Sequence, residues 1–300
     1  TLITTDGTTL LGADDKAGVA VIMEALHWLL EHPEIAHGPI HAWFTCDEEI
    51  GHGVDHLDGY LNDRAAPVAC YTLDGQGAGS IDVETFSADL AVVTVHGVNL
   101  HPGVAKGRMV NAVRVAADFL ARLPRAVSPE MTEDRQGFLH PYEMAGGVAE
   151  LRMRILLRDF QTDGLGRLEA LLRQAAEATI RQFPGAKIEL AVQSQYRNMA
   201  AGLAKEPRAV AYAQQAWERL AGSTAASGRI SGQDARAPAA ELTIVRGGTD
   251  GSRLTEEGLP TPNLATGQHS PHSKLEWACL DEMLVAVEWL VAIAQRWGED

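Results

Sequence analysis

The stretch Phe44-Thr-Cys-Asp-Glu-Glu-Ile-Gly51 sets three consecutive acids, Asp47, Glu48 and Glu49, at the end of an apolar run, Ile40 to Phe44. Repulsion and desolvation both oppose three like charges at the end of a buried strand. Either they spread into water or a positive group sits among them. Three further segments have the same character. Gly12-Ala-Asp-Asp-Lys-Ala-Gly18 puts Asp14 and Asp15 ahead of an apolar helix, Leu73-Asp74-Gly75 puts an acid after a short strand, and His269-Ser-Pro-His272-Ser-Lys274 supplies late histidines. Each alone has an ordinary explanation: a helix cap, a solvated acidic turn, a turn aspartate, a surface loop. Together, one Asp, a Glu pair, another Asp and a His, each near a strand-to-loop transition, suit two divalent ions. Carboxylates and imidazole favour zinc and also admit manganese or cobalt. Two such ions, about 3.5–4 Å apart, need a bridging carboxylate and polarise a shared water, and an acid outside the ligand set can serve as general base.

The elements that must position these residues read as strand, helix and strand. Lys16 to Leu30 is apolar over most of its circumference, which predicts a helix well covered by a sheet. Ile40 to Phe44 and Val68 to Leu73 read as strands. Acids at strand ends suggest an open, mostly parallel α/β sheet whose ligands collect beyond the carboxyl ends of the strands. The texture then changes. Ile81 to Phe86 and Ala88 to His96 alternate like half-exposed antiparallel strands. A helix (Val110 to Leu123), a loop rich in Pro and Glu, a strand (Val148 to Phe160), a helix (Leu165 to Phe183) and a strand (Ile188 to Gln195) follow. This order predicts a compact α+β module inserted into the first domain. Ala209 to Leu220 reads as helix, Leu242 to Val245 as strand, and Leu280 to Trp297 as a closing helix.

Bulk properties narrow the class. A chain of 300 residues is long for one domain and comfortable for two. A net charge of −15 argues against nucleic-acid and anionic-membrane partners. The three cysteines, Cys46, Cys70 and Cys279, are far apart, which argues against a disulfide framework and for a reducing cytoplasm. No signal peptide is visible, and no apolar run is long enough to span a membrane.

The segments TTDGTTLLGADDKAG, FTCDEEIGHG, YTLDGQGAGSIDVETF, HGVNLHPGVAKGRMVNA, SPEMTEDRQGF, LLRDF and RGGTDGSRLTEEGLPTPNLATG, ending in His272, occur in this order. In combination they resemble the M20 family of di-zinc metallopeptidases, in its tripeptide aminopeptidase branch. The resemblance implies a mostly parallel catalytic domain, residues 1–85 and 205–300, with an inserted ferredoxin-like α+β lid and dimerisation domain, residues 86–204. It implies two divalent ions, zinc first and cobalt or manganese as alternatives. Asp14 would bridge them, with Glu49 on one, Asp74 on the other and His272 as the terminal ligand. Asp15 would lie behind the ligands or cap the helix, and Glu48 would be the general base. His101 would reach the active site of the other subunit of a homodimer. Arg158 and Arg246 would hold the C-terminal carboxylate of a short peptide, a task suited to a bidentate guanidinium. Read without the resemblance, Arg158 is a strand-end charge and Arg246 a hydrogen-bonder to neighbouring loops.

The match has gaps. The family carries a His-x-Asp ahead of GADD, and no histidine precedes His27 here. Upstream residues are therefore expected to be missing. His56-Leu57-Asp58 has the pattern but follows the Glu pair, a poor place for a substitute. Cys46 is expected to be a packing thiol. The expected activity is removal of the N-terminal residue from a tripeptide. The alternatives are another M20-type amidohydrolase, such as a dipeptidase or N-acyl amino-acid deacylase, or an inactive dimeric fragment.

Overall fold

The computed structural model describes residues 1–57, 67–227 and 239–299. The chain divides into two compact units. The first comprises Thr1–Thr85, Met199–Val245 and Thr249–Asp300; the second comprises Phe86–Asn198 and Arg246–Gly248.

The first unit has a six-stranded sheet. β1 (Leu2–Thr4) pairs antiparallel with β10 (Trp277–Cys279), and β10 pairs antiparallel with β9 (Asn263–His269). β2 (Thr72–Gln76) joins β9 in parallel, β3 (Ser80–Thr85) joins β9 antiparallel, and β8 (Glu241–Val245) joins β3 in parallel. The class is α/β as expected, but the sheet is mixed rather than mostly parallel. The causes are the β9–β10 hairpin and the short β2-to-β3 connection, each of which reverses direction within one sheet, so that β2 runs parallel and β3 antiparallel to β9. β9 is buried along nearly its whole length although it reads Asn-Leu-Ala-Thr-Gly-Gln-His. Its polar side chains are bonded: Asn263 Oδ1 accepts from Thr72 Oγ1 at 2.9 Å, Asn263 Nδ2 donates to Asp82 at 2.8 Å, and Thr266 Oγ1 donates to the Gly75 carbonyl at 3.0 Å. Partners of this kind offset the burial of such groups, though Gln268 Oε1 has none among the described residues.

Helices α1 (Ala13–Glu31), α5 (Arg208–Ser227) and α7 (Leu280–Gly298) share this unit's core. Val21, Ala25 and Leu29 of the first meet Ala213, Ala216 and Trp217 of the second, Trp289 and Ile293 of the third, and Leu73, Ile81 and Leu264 of the sheet. The Trp289 indole N–H, fully buried, donates to the Ala213 carbonyl at 2.8 Å. Two expectations are corrected here. The helix is buried along a single face, and Val19, Met23 and Leu30 are exposed. Ile40 to Phe44 pairs with no strand among the described residues, and Ile40 and Phe44 are exposed. Apolar alternation specifies side chains; a strand also needs a neighbour that completes its backbone hydrogen bonds.

The second unit is a βαββαβ module. β4 (Ser87–His96), α2 (Ala112–Ala121), β5 (Phe138–Gly146), β6 (Glu150–Asp159), α3 (Thr162–Gln182) and β7 (Lys187–Tyr196) form an antiparallel sheet in the order β5-β6-β4-β7, the ferredoxin-like arrangement. The short helix α4 (Ala200–Leu203) follows in the first unit. β5 lies where the sequence pattern predicts no strand, between the Pro- and Glu-rich loop and the strand expected from Val148, and β3, expected in this module, pairs in the first unit's sheet instead. Pro141 hides the strand: it sits at a bulge on an edge strand whose far half is exposed, where a missing N–H is tolerated. Helices α2 and α3 cover the face lined by Ala91, Val93, Val95, Met153, Ile155 and Leu157. Phe119 of α2 is fully buried in that core. Phe119→Ala is expected to destabilise this unit by about 3–5 kcal/mol, read by urea denaturation. A change under about 1 kcal/mol would show that the site repacks.

Candidate metal centre

All acids of the first paragraph lie in the first unit. Asp14 and Asp15 stand at the start of α1. Both depart from helical backbone angles, and the peptide between them is cis. Asp15 Oδ1 accepts from the Gly18 N–H at 3.1 Å, the capping role expected for it. Gly18 is required by close approach, because a Cβ there would fall 1.9 Å from the Leu73 carbonyl oxygen. That contact brings the start of α1 against β2, which carries Asp74.

Glu48 and Glu49 lie on a 3-10 turn, Glu48–Ile50, bounded by Asp47 and Gly51 in left-handed conformations. The turn separates the three acids. Glu48 is half-buried and accepts a hydrogen bond from the Asp250 backbone N–H, whereas Glu49 and Asp47 are exposed. His272 lies on the loop joining β9 and β10, with Ser270 and His272 both at positive φ. Its Nε2 is 3.0 Å from Asp14 Oδ2 and 3.0 Å from Glu49 Oε2. The three donor atoms lie within 4.8 Å of one another. Segments 258 residues apart in the chain thus meet at one point. The other late histidine, His269, is engaged elsewhere. It stacks on Trp277 at 3.8 Å, and its Nε2 lies 2.6 Å from Glu282.

Charge crowding is evident in the acids around this point. Burial, then repulsion from Asp14, Glu48 and Glu49, pushes the Asp15 carboxyl up to about 8. Burial, then Asp250 and Glu49, pushes Glu48 up to about 7. Asp74 is raised further, by burial first and then by Asp14 and Asp15. Asp250 is raised by burial. Such a group can be relieved by protons or by a cation. The donor set of two carboxylates and an imidazole, with two more acids beside it, fits a divalent metal.

The sequence reading missed three residues that build this region. Asp250 begins α6 (Asp250–Glu256), is buried, and accepts from Thr45 Oγ1 at 3.3 Å. Gln268 donates from Nε2 to the Asp74 carbonyl at 2.8 Å and to Asp74 Oδ1 at 3.3 Å. Glu276, 2% exposed, accepts the Gly12 and Asp14 N–H groups. The only signal for Glu276 was an acid set between Leu275 and Trp277. A cavity of about 740 Å³ adjoins the acids, lined among others by Ile22, Leu26, Leu29, Trp43, Phe44, Tyr71 and Ile293.

His101, Arg158 and Arg246 belong to the second unit. His101 is exposed, with Nδ1 accepting from the Gly103 N–H at 3.1 Å. Arg158 is half-buried on β6. Its Nη1 donates to Gln195 Oε1 at 3.0 Å, and its guanidinium lies over the Tyr196 ring. Burial lowers its proton affinity. Arg246 holds the 132–136 loop. Nη1 donates to the Asp134 and Gln136 carbonyls at 2.7 and 3.2 Å, Nη2 donates to Thr132 Oγ1 at 2.9 Å, and the guanidinium packs over Phe86 and Phe138. In the first unit His56 is exposed, Asp58 lies outside the described residues, and Cys46 is exposed, against the expectation of a buried packing thiol. Among the described residues no helix is long and apolar enough to cross a membrane.

Residues 10–296 match the model of peptidase family M20/M25/M40. Peptidase T of Shewanella halifaxensis is 41% identical over 295 residues, which cover 98% of this chain and 68% of that protein. Peptidase T of Bacillus subtilis is 39% identical over 296 residues, covering 99% and 68%. Among solved structures, the aminopeptidase PepT from Bacillus cereus superposes with a TM-score of 0.75 at 27% identity, over 98% of this chain and 74% of that one. The YXEP protein of Bacillus subtilis, described as a dinuclear metal binding peptidase from the M20 family, shares the fold with a TM-score of 0.61 at 16% identity, over 93% and 70%. This chain belongs to peptidase family M20/M25/M40, and so among the hydrolases.

Proposed function

We propose that this protein is a metal-dependent aminopeptidase that removes the N-terminal residue from short peptides, tripeptides above all. The observation that carries the reading is the Asp14–Glu49–His272 cluster with half-buried Glu48 beside it. Identity near 40% to two proteins named peptidase T supports the substrate class. Asp14, Glu49 and His272 would hold one divalent ion. Asp74, next to Asp14, would serve a second, with zinc first and cobalt or manganese as alternatives. Such ions, when bound, lower the pKa of water and polarise a carbonyl oxygen. Glu48 is the residue placed to move protons. It takes one from the attacking water and returns it to the leaving amine nitrogen as the C–N bond breaks. Its N–H bond from Asp250 fixes where the carboxylate sits.

Arg158 is the better candidate for the peptide's terminal carboxylate. It is half-buried on a strand, lies over the Tyr196 ring, and is held by the bond from its Nη1 to Gln195 Oε1. Arg246 is assigned a different part, holding the 132–136 loop that both its Nη atoms already bond. His101 contributing to the active site of a second subunit, and the homodimer this needs, rest on the family resemblance and on the exposure of His101.

The test is a substrate panel with and without a chelator. A free tripeptide is expected to be cleaved, with loss of activity in EDTA and recovery on adding zinc or cobalt. Its C-terminal amide is expected to react at least about tenfold more slowly, the scale of one charged hydrogen-bonded contact. Arg158→Ala should erase that difference. Arg246→Ala should slow both substrates alike and lower the melting temperature. Preference for a dipeptide or an N-acyl amino acid would replace this reading with another M20-type amidohydrolase.

A further inference from the structure

We infer that Glu276 is a positioning residue: its carboxylate fixes the backbone at Gly12 and Asp14, so that Asp14 and His272 face one cation. The inference rests on the metal reading above. Glu276 is 2% exposed, and its two oxygens are divided between two donors. Oε2 accepts the Gly12 N–H at 2.6 Å, and Oε1 accepts the Asp14 N–H at 2.9 Å. Helix α1 follows a glycine with φ 67, a position that carries no side-chain cap; Asp15 caps only the turn after the kink, through the Gly18 N–H. The first N–H groups of a helix need acceptors, and a carboxylate suits the positive end of the helix dipole. Glu276 thus caps the helix from another element.

Capping alone does not account for its place in the chain. Glu276 follows His272 by four residues in the loop between β9 and β10. That loop therefore holds Asp14 at two points: His272 Nε2 lies 3.0 Å from its side-chain Oδ2, and Glu276 Oε1 bonds its backbone nitrogen. Asp14 has non-helical angles, φ −82 and ψ 102, so the helix does not by itself set the direction of its carboxylate. The base of the loop is closed by His269, stacked on Trp277 with an interplanar angle of 3° and held by Glu282. A shift of the Glu276 carboxylate would move one donor relative to the other. Side chains behind metal ligands commonly set affinity in this way.

The test compares Glu276→Gln and Glu276→Ala with the wild-type chain and with His272→Ala. The first readout is amide hydrogen exchange at Gly12 and Asp14 in the metal-free protein. The second is the affinity and visible spectrum of added Co²⁺. Gln keeps the shape and one acceptor oxygen. In Glu276→Gln, one of the two amides should exchange about tenfold faster, and in Glu276→Ala both should. Co²⁺ affinity should fall by about 10–100-fold, with Gln intermediate between Glu and Ala and an altered visible band. If Glu276→Ala fails to fold, Glu276→Gln decides. Unchanged exchange at both amides overturns the inference. So does a lower melting temperature with Co²⁺ affinity equal to wild type, the result of a cap with no effect on the donors. If His272→Ala binds Co²⁺ as the wild type does, the metal reading fails instead, and the exchange data alone decide whether Glu276 fixes Asp14.

Discussion

Glu48→Gln is expected to reduce tripeptide hydrolysis by about 10²–10⁴-fold, through kcat, while zinc content and melting temperature stay at wild-type values. The substitution is close to isosteric. It keeps an oxygen that can accept the Asp250 N–H and removes only the ability to take up and release a proton. Glu48 suits that task by its surroundings. Burial, with Asp250 and Glu49 nearby, raises its carboxyl to about 7 in the metal-free protein, and a base works best when its affinity for a proton is near the working pH. Steady-state kinetics on the metal-loaded chain separate the possibilities. A loss confined to KM would assign Glu48 to substrate binding. A loss under tenfold would place the base elsewhere, with Asp15 and Asp250 the next acids to examine.

His272→Ala is expected to weaken zinc binding by about 10²-fold. A complete four-ligand zinc site is worth roughly 10–16 kcal/mol, so one ligand contributes about 3 kcal/mol. The residue is well chosen for the purpose. Its side chain is 70% exposed, so its removal opens no cavity and should leave folding intact. Competition against a chromophoric chelator measures the affinity, and hydrolysis should fall in proportion at limiting zinc. His269→Ala is the control. That histidine lies three residues before His272 but is bonded to Glu282 and stacked on Trp277. It should lower stability with a smaller effect on affinity. Equal zinc affinity in His272→Ala and wild type would remove the imidazole from the ligand set.

Much of this molecule can be read from local pattern. The α/β class, the helix that follows GADD, β8, the closing helix and most of the α+β module follow from periodicity and turn chemistry, whereas the strand expected over Val68 to Leu73 overlaps β2 only at Thr72 and Leu73, and Asp74 lies within that strand. The segments holding Asp14, Glu48, Glu49 and Asp74 stand out because charge at the end of an apolar run demands a reason, and a late histidine completes such a set; the choice of Asp14 over Asp15 and of His272 over His269 comes from the family resemblance. Other features resisted. β9 is polar in composition yet central in the sheet, because its Asn, Thr and Gln side chains find partners on β2 and β3. Such pairing is long-range and leaves no periodic trace. β5 was hidden by Pro141, which an edge strand accommodates at a bulge. Ile40 to Phe44 had the composition of a strand but not a partner for its backbone.

The three acids of FTCDEEIG show the same division. Sequence alone established that they were too crowded to be left without explanation, and the resemblance supplied roles for two of them. Only the tertiary structure separated them: the tight turn at Glu48–Ile50 leaves Glu49 exposed within 3.0 Å of His272, turns Glu48 toward the Asp250 N–H, and leaves Asp47 exposed. It likewise sets His272 against Asp14 and Glu49 and His269 against Glu282, and it found Glu276, whose role depends on the Gly12 and Asp14 amides more than 260 residues away. The physical reason is common to all three cases. Composition and spacing reveal which groups are costly to bury. Which partner offsets that cost is fixed by three-dimensional proximity, and no local window of the chain contains it.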